Sequence, residues 1–169
     1  IGTKLITSFT NPSLGGVYKL ACMIDNGKVY PKIKISDNPE KITNPGEKRI
    51  YRLINNATGK ALADVICLAG EKIDESKPFT LVHPVDRWKT KEVKNFTAKP
   101  LYKEIISKGK LVYKCPPLKD ICKKTQESLD EFWEEYKRIE QPQVYKVDLS
   151  DKLYQLKQKM LTEQGKAHK

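Results

Sequence analysis

The sequence predicts an α+β chain: antiparallel strands first, two C-terminal helices last. Three observations carry this reading. Residues 17–114 hold runs of strand-forming residues divided by Asn-Gly, Gly and Pro signals. From residue 118 onward the apolar positions fall at helical spacing. Strands and helices do not alternate as βαβ units, so neither a doubly wound sheet nor a whole barrel is predicted within these residues.

The strand region begins after residues 1–16, where Gly2, Asn11, Pro12, Gly15 and Gly16 suggest a strand end and an ordered loop. "VYKLACMI" (17–24) and "VYPKIKIS" (29–36) flank "DNGK", a strong hairpin signal because Asn and Gly tolerate positive φ. Pro31 must then sit at an edge or a bulge. "NPEKITNPG" (38–46) reads as a turn-rich connection. "KRIYRLIN" and "KALADVICLAG" form a second predicted hairpin, with Gly59 near its tip. "PFTLVHPV" (78–85), "FTAKPLYKEIIS" (96–107) and "KLVYK" (110–114) supply further strands.

The period changes at residue 118. Leu118, Ile121, Cys122, Leu129, Phe132, Trp133 and Tyr136 lie on one helical face, entered through Pro116 and Pro117 and left before Pro142. A second helix is predicted with Ser150 as N-cap and Leu149, Leu153, Leu156 and Met160 as its apolar stripe. The two stripes are expected to bury against each other and the sheet, which makes packing the role of Phe132, Trp133 and Met160.

At 169 residues the chain is long enough for an ordinary domain with a core. Its formal net charge of +11 points to anionic partners. The lysines are spread along the chain without an RNP-like aromatic pattern, so a solvated lysine-rich surface accounts for most of them. The sequence shows no membrane span and no signal-peptide pattern. Cys22, Cys67, Cys115 and Cys122 form no C-x-x-C pair and are expected to be reduced and buried, as in a cytoplasmic protein. No metal site is expected, because His83 and His168 fit no ligand spacing. His83 in "LVHPV" reads as a strand residue with a satisfied ring rather than a catalytic base.

One segment has a chemical rationale. In "IGTKLITS" (1–8), Gly2 permits close approach of backbone amides to an anion, Thr3 adds a hydroxyl donor, and Lys4 adds charge. This segment, with "GGVYKL" after it, resembles the C-terminal part of nicotinate phosphoribosyltransferase, whose motif runs G-x-G-T-K-L-I/V-T. "PKIKISDNPEKITNPGEKRIYRL", "KALADVICL", "NFTAKPLYKEIISKGKLVY" and "YKVDLSDKLYQLKQKML" follow the family in order and spacing.

The resemblance implies an enzyme that joins nicotinate to the ribose of phosphoribosyl pyrophosphate (PRPP). The products are nicotinate mononucleotide and pyrophosphate, in NAD biosynthesis. It implies ATP hydrolysis through a phosphorylated histidine, a need for Mg²⁺, and a homodimer. It also implies a quinolinate-type phosphoribosyltransferase fold, an irregular α/β barrel with an open-faced α/β domain. Residues 1–16 would end the barrel domain with its phosphate loop, 17–114 would complete the α/β domains, and 115–169 would form the C-terminal helical segment.

By the same resemblance Gly2 and Thr3 bind the substrate phosphate, with Lys4 and Lys19 as helpers. The motif's first glycine, the phosphorylatable histidine and the base-contacting residues belong upstream of Ile1. The chain is therefore expected to be a fragment that holds no catalytic residue, binds no ATP or Mg²⁺ alone, and is inactive alone. The alternative is a basic nucleic-acid-binding module without enzymatic activity, which salt-dependent binding to random RNA or DNA would reveal.

Overall fold

The computed structural model describes residues 15–167, and the side chains of residues 15–163. In chain order the strands are β1 (Cys22–Asp25), β2 (Lys28–Pro31), β3 (Lys48–Asn55), β4 (Ala61–Leu68), β5 (Phe79–Val82), β6 (Thr90–Val93), β7 (Phe96–Pro100), β8 (Ile106–Ser107) and β9 (Lys110–Leu111). Helices α1 (Leu118–Asp130) and α2 (Glu134–Lys137) follow, then strand β10 (Val147–Ser150) and helix α3 (Asp151–Ala167). A 3-10 turn at Pro39–Lys41 is opened by Asn38, whose Oδ1 accepts from Glu40 N at 2.9 Å.

The turn chemistry works as the sequence suggests. β1 and β2 pair antiparallel across Asn26 and Gly27, whose φ values are +48° and +75°. Positive φ at both central residues matches the strands' right-handed twist. Lys108 and Gly109, at φ +48° and +74°, close the small β8–β9 ribbon in the same way. Pro31 is the last residue of β2, and Pro100 ends β7 on the sheet's edge, so neither removes a hydrogen bond from a central strand.

The main sheet has six strands in the order β6-β5-β10-β4-β3-β7. β3 and β4 form the predicted hairpin, bulged where Leu53 and Ile54 pair with Ala63 and Ala61. β10 corrects the expectation of a purely antiparallel sheet. It inserts between β4 and β5, parallel to β4 and antiparallel to β5. The sequence places Leu149 on the stripe of the last helix and Ser150 at its N-cap. Leu149 instead lies in this strand and is fully buried, not on the helix stripe. Four residues are too short for period-2 alternation to be recognised, and this strand is buried because strands flank it on both sides.

Each face of the sheet carries its own core. On one face Leu53, Ala63, Val65, Cys67, Leu81, Val93 and Phe96 cluster, with Ile73 of the β4–β5 connection packed against them. On the other, α3 lays Leu153 and Tyr154 against Val82 and Leu149, with Ile66 and Leu68 alongside. Ser150 caps α3 as predicted, its Oγ accepting from Leu153 N at 3.2 Å while donating to Glu71 at 2.7 Å.

The other helical expectation is corrected. The continuous face from Leu118 to Tyr136 breaks after Asp130, and α1 buries no residue. Leu118, Ile121 and Leu129 are 75%, 40% and 44% exposed, so the two stripes do not meet. The break has a tertiary cause. Glu131 O accepts from Ala61 N at 2.7 Å and Asp130 O accepts from Lys60 Nζ at 2.7 Å, tying the helix end to the β3–β4 hairpin. Regions read as long strands are also shorter than expected. Residues 17–21, 32–36 and 101–105 lie outside strands, although Lys32 N and Gly46 N both donate to Ala21 O at 2.8 Å.

Candidate functional site

Gly2, Thr3 and Lys4 lie outside the described residues, and so does His168. Lys19 is described. It is exposed and lines an open pocket of about 490 Å³ together with Val17, Lys34, Ser36 and Lys41. Three lysines from three chain segments therefore surround one concavity. Lys34 is placed by a reciprocal pair of bonds with Thr43: Lys34 N donates to Thr43 Oγ1 at 2.8 Å, and Thr43 N donates to Lys34 O at 3.2 Å. Ser36 Oγ accepts from Asn38 N at 3.3 Å, and Lys41 ends the 3-10 turn that Asn38 opens. Such a rim attracts a phosphate-bearing anion by charge and can meet its oxygens with flexible ammonium donors. Sequence reasoning found Lys19 but not Lys34 or Lys41. Their convergence depends on the fold-back of residues 32–46 onto Ala21.

Among the described residues no group of three His, Cys, Asp or Glu side chains could hold a metal ion. His83 is satisfied, as expected, but in a turn just beyond β5 rather than within the strand. Its Nδ1 accepts from Val85 N at 3.3 Å and Asp86 N at 3.0 Å. Accepting at Nδ1 leaves the proton of the neutral ring on Nε2. All four cysteines are free, but only Cys67 is buried; Cys22 is half-buried, and Cys115 and Cys122 are exposed. The expectation of buried cysteines fails at the latter two because, among the described residues, no element covers the segment before α1 or the helix itself. Burial, first, and the charge of Glu71 push the Cys67 thiol up to about 12, so it packs as a small apolar group.

The densest ionic cluster is structural. Arg52 bonds Asp64 and Glu131, while its guanidinium lies 4.4 Å from the centre of the Phe132 ring. Tyr145 donates to Asp64 at 2.9 Å, and Lys99 pairs with Glu131. Burial alone would lower the Arg52 pKa, but the bonds to Asp64 and Glu131 raise it above its ordinary value. Burial, and then Asp64, push the Tyr145 hydroxyl upward. A permanently charged Arg and a neutral phenol make a clamp rather than an acid–base pair.

Residues 47–157 match the family model described as the nicotinate phosphoribosyltransferase C-terminal domain. The chain is 44% identical over 163 residues to nicotinate phosphoribosyltransferase of Bacillus subtilis, covering 96% of this chain and 33% of that protein. It is 35% identical to the Bos taurus enzyme, covering 92% of this chain and 28% of that one. The crystal structure of human nicotinic acid phosphoribosyltransferase superposes with a TM-score of 0.72 at 29% identity, covering 88% of this chain and 27% of the human chain. The chain thus spans about a third or less of the length of these relatives. The mixed sheet with its few helices is the C-terminal portion of that architecture, and the chain belongs to the nicotinate phosphoribosyltransferase family through this C-terminal domain.

Proposed function

We propose that the protein carrying this chain forms nicotinate mononucleotide and pyrophosphate from nicotinate and PRPP, with ATP hydrolysis and Mg²⁺, as a cytoplasmic homodimer. The observation that carries this reading is the 44% identity to the Bacillus subtilis enzyme across 96% of the chain. No helix among the described residues is long and apolar enough to cross a membrane. ATP and Mg²⁺ belong to the whole enzyme in this reading.

In this reading residues 1–16 end a barrel domain with its phosphate loop, as in quinolinate-type enzymes. Residues 17–114 complete the α/β domains and 115–169 form the C-terminal segment. The exposed apolar side chains of β1 and α1, among them Met23, Ile24, Leu118 and Ile121, face the remainder of the enzyme. Gly2 and Thr3 grip the 5′-phosphate of PRPP. Lys4 helps from beside them, and Lys19 from the lysine rim.

Cleavage of the ribose C1–pyrophosphate bond develops oxocarbenium character at the sugar. Anchoring the distant phosphate orients the ring without any proton transfer by these residues. The lysine excess then serves phosphate-bearing small molecules in place of nucleic acid. The test is an assay of the full-length protein with nicotinate, PRPP, ATP and Mg²⁺. The wild type forms the mononucleotide, and Thr3→Ala weakens PRPP use while keeping the same melting temperature. Absence of product from the wild type, or unchanged PRPP kinetics in Thr3→Ala, overturns the reading at the level of activity or of site.

A further inference from the structure

We propose that a second cavity, between the 3-10 turn, the His83–Val85 turn, β10 and α3, is a binding site for a small organic carboxylate. The cavity has a volume of about 400 Å³, within the range of small-molecule sites. Its walls are mainly apolar, formed by Ile42, Ile66, Val85 and Leu149 among others. Lys157 of α3 lines it, although this lysine is only 3% exposed.

The Lys157 ammonium has a single protein acceptor, Pro84 O at 3.1 Å, and no carboxylate within 4.0 Å among the described residues. Three donor hydrogens and a full positive charge are therefore met by one carbonyl. Burying an uncompensated ammonium is unfavourable, and the burial draws the Lys157 pKa below its ordinary value. A second polar atom in the cavity lining is also without a partner: the buried Oδ1 of Asn44. The amide can present either its oxygen or its NH₂ there. His83, on the third side, keeps its proton on Nε2, because its Nδ1 accepts two backbone amides.

These groups specify the ligand's charge and shape. One ammonium balances a single negative charge, and the imidazole N–H can donate a hydrogen bond to it. A phosphate dianion would leave one charge without a cation, and exposed Glu40, which also lines the cavity, disfavours a second negative charge. A carboxylate on a short hydrocarbon body satisfies both the ammonium and the walls.

The test uses the full-length protein and thermal melts with isovalerate, with inorganic phosphate as the alternative probe. Isovalerate is chosen because it lacks the aromatic ring of nicotinate. The proposal expects isovalerate to raise the melting temperature in a saturable way. Lys157→Met should weaken it at least tenfold and raise the melting temperature of the ligand-free protein. Asn44→Leu, on a different segment, should weaken it several-fold while leaving the ammonium in place.

Three outcomes overturn the proposal. One is equal or absent stabilisation by isovalerate in wild type and both variants. Another is stabilisation by phosphate that matches isovalerate and depends on Lys157. The last is a Lys157→Met variant with a lowered ligand-free melting temperature, which means that a side chain of the protein itself already neutralises Lys157.

Discussion

Arg52 and Asp64 face each other as register partners on β3 and β4, joined by two contacts, Nε–Oδ1 at 2.9 Å and Nη2–Oδ2 at 3.2 Å. The same guanidinium reaches Glu131 at the end of α1, 3.0 Å away. One side chain thus pins the helical segment to the central hairpin. Arg52→Met leaves two largely buried carboxylates without their shared cation. The expected loss is about 3 kcal/mol, read as a lowered urea midpoint. Tyr145→Phe removes a single bond to Asp64 and should cost about 1 kcal/mol in the same measurement.

Glu131 supplies a pH signature. Burial acts to raise its pKa, but Lys99 and Arg52 outweigh it and hold the carboxyl below its ordinary value. A depressed folded pKa contributes stability that is present above the unfolded value and lost as pH falls through the folded one. Glu131→Gln should therefore be less stable than wild type at neutral pH. The gap should narrow on acidification below the ordinary carboxylate range. Melting temperatures of both proteins across that window provide the check. A gap that is constant with pH contradicts the assignment.

Helix α3 packs across β4, β10 and β5. Leu153 is fully buried among Val82, Leu149 and Tyr154. Leu153→Ala should cost about 3 kcal/mol through lost burial and the cavity left behind. Ser150→Ala removes the cap and the bond to Glu71, and should cost about 1–2 kcal/mol. Denaturant titration of both variants ranks them, with the leucine expected to be the larger effect.

The lysine rim can be tested apart from Thr3. Lys34→Glu and Lys41→Glu, both exposed, should leave the melting temperature nearly unchanged. In the full-length protein they should raise the KM for PRPP several-fold, and the effect should shrink as salt is added, because exposed charges are screened. Unaltered PRPP kinetics at low salt would remove this rim from the substrate path.

Much of the fold was legible because it rests on local rules. Asn26-Gly27 and Lys108-Gly109 turn where positive φ demands it, Pro117 opens α1, and Ser150 caps α3. The family, too, was legible in the order of short motifs, and the match over residues 47–157 bears it out. The candidate site was legible only in part. Lys19 was singled out by resemblance, whereas Lys34 and Lys41 became neighbours only through the fold-back onto Ala21.

By itself, then, the sequence determined the β1–β2 and β3–β4 hairpins, the starts of α1 and α3, and the family, since each depends on residues close in the chain or on recognisable order. Tertiary structure alone decided that Leu149 belongs to a central strand, parallel to β4, rather than to a helix. It also decided that α1 ends at Asp130, through bonds to Lys60 and Ala61 some seventy residues earlier. It brought Lys157, His83 and Asn44 around one cavity. The physical reason is common to all three. Burial and pairing between distant segments outweigh local periodicity, and a short segment takes the conformation that its neighbours in space can satisfy.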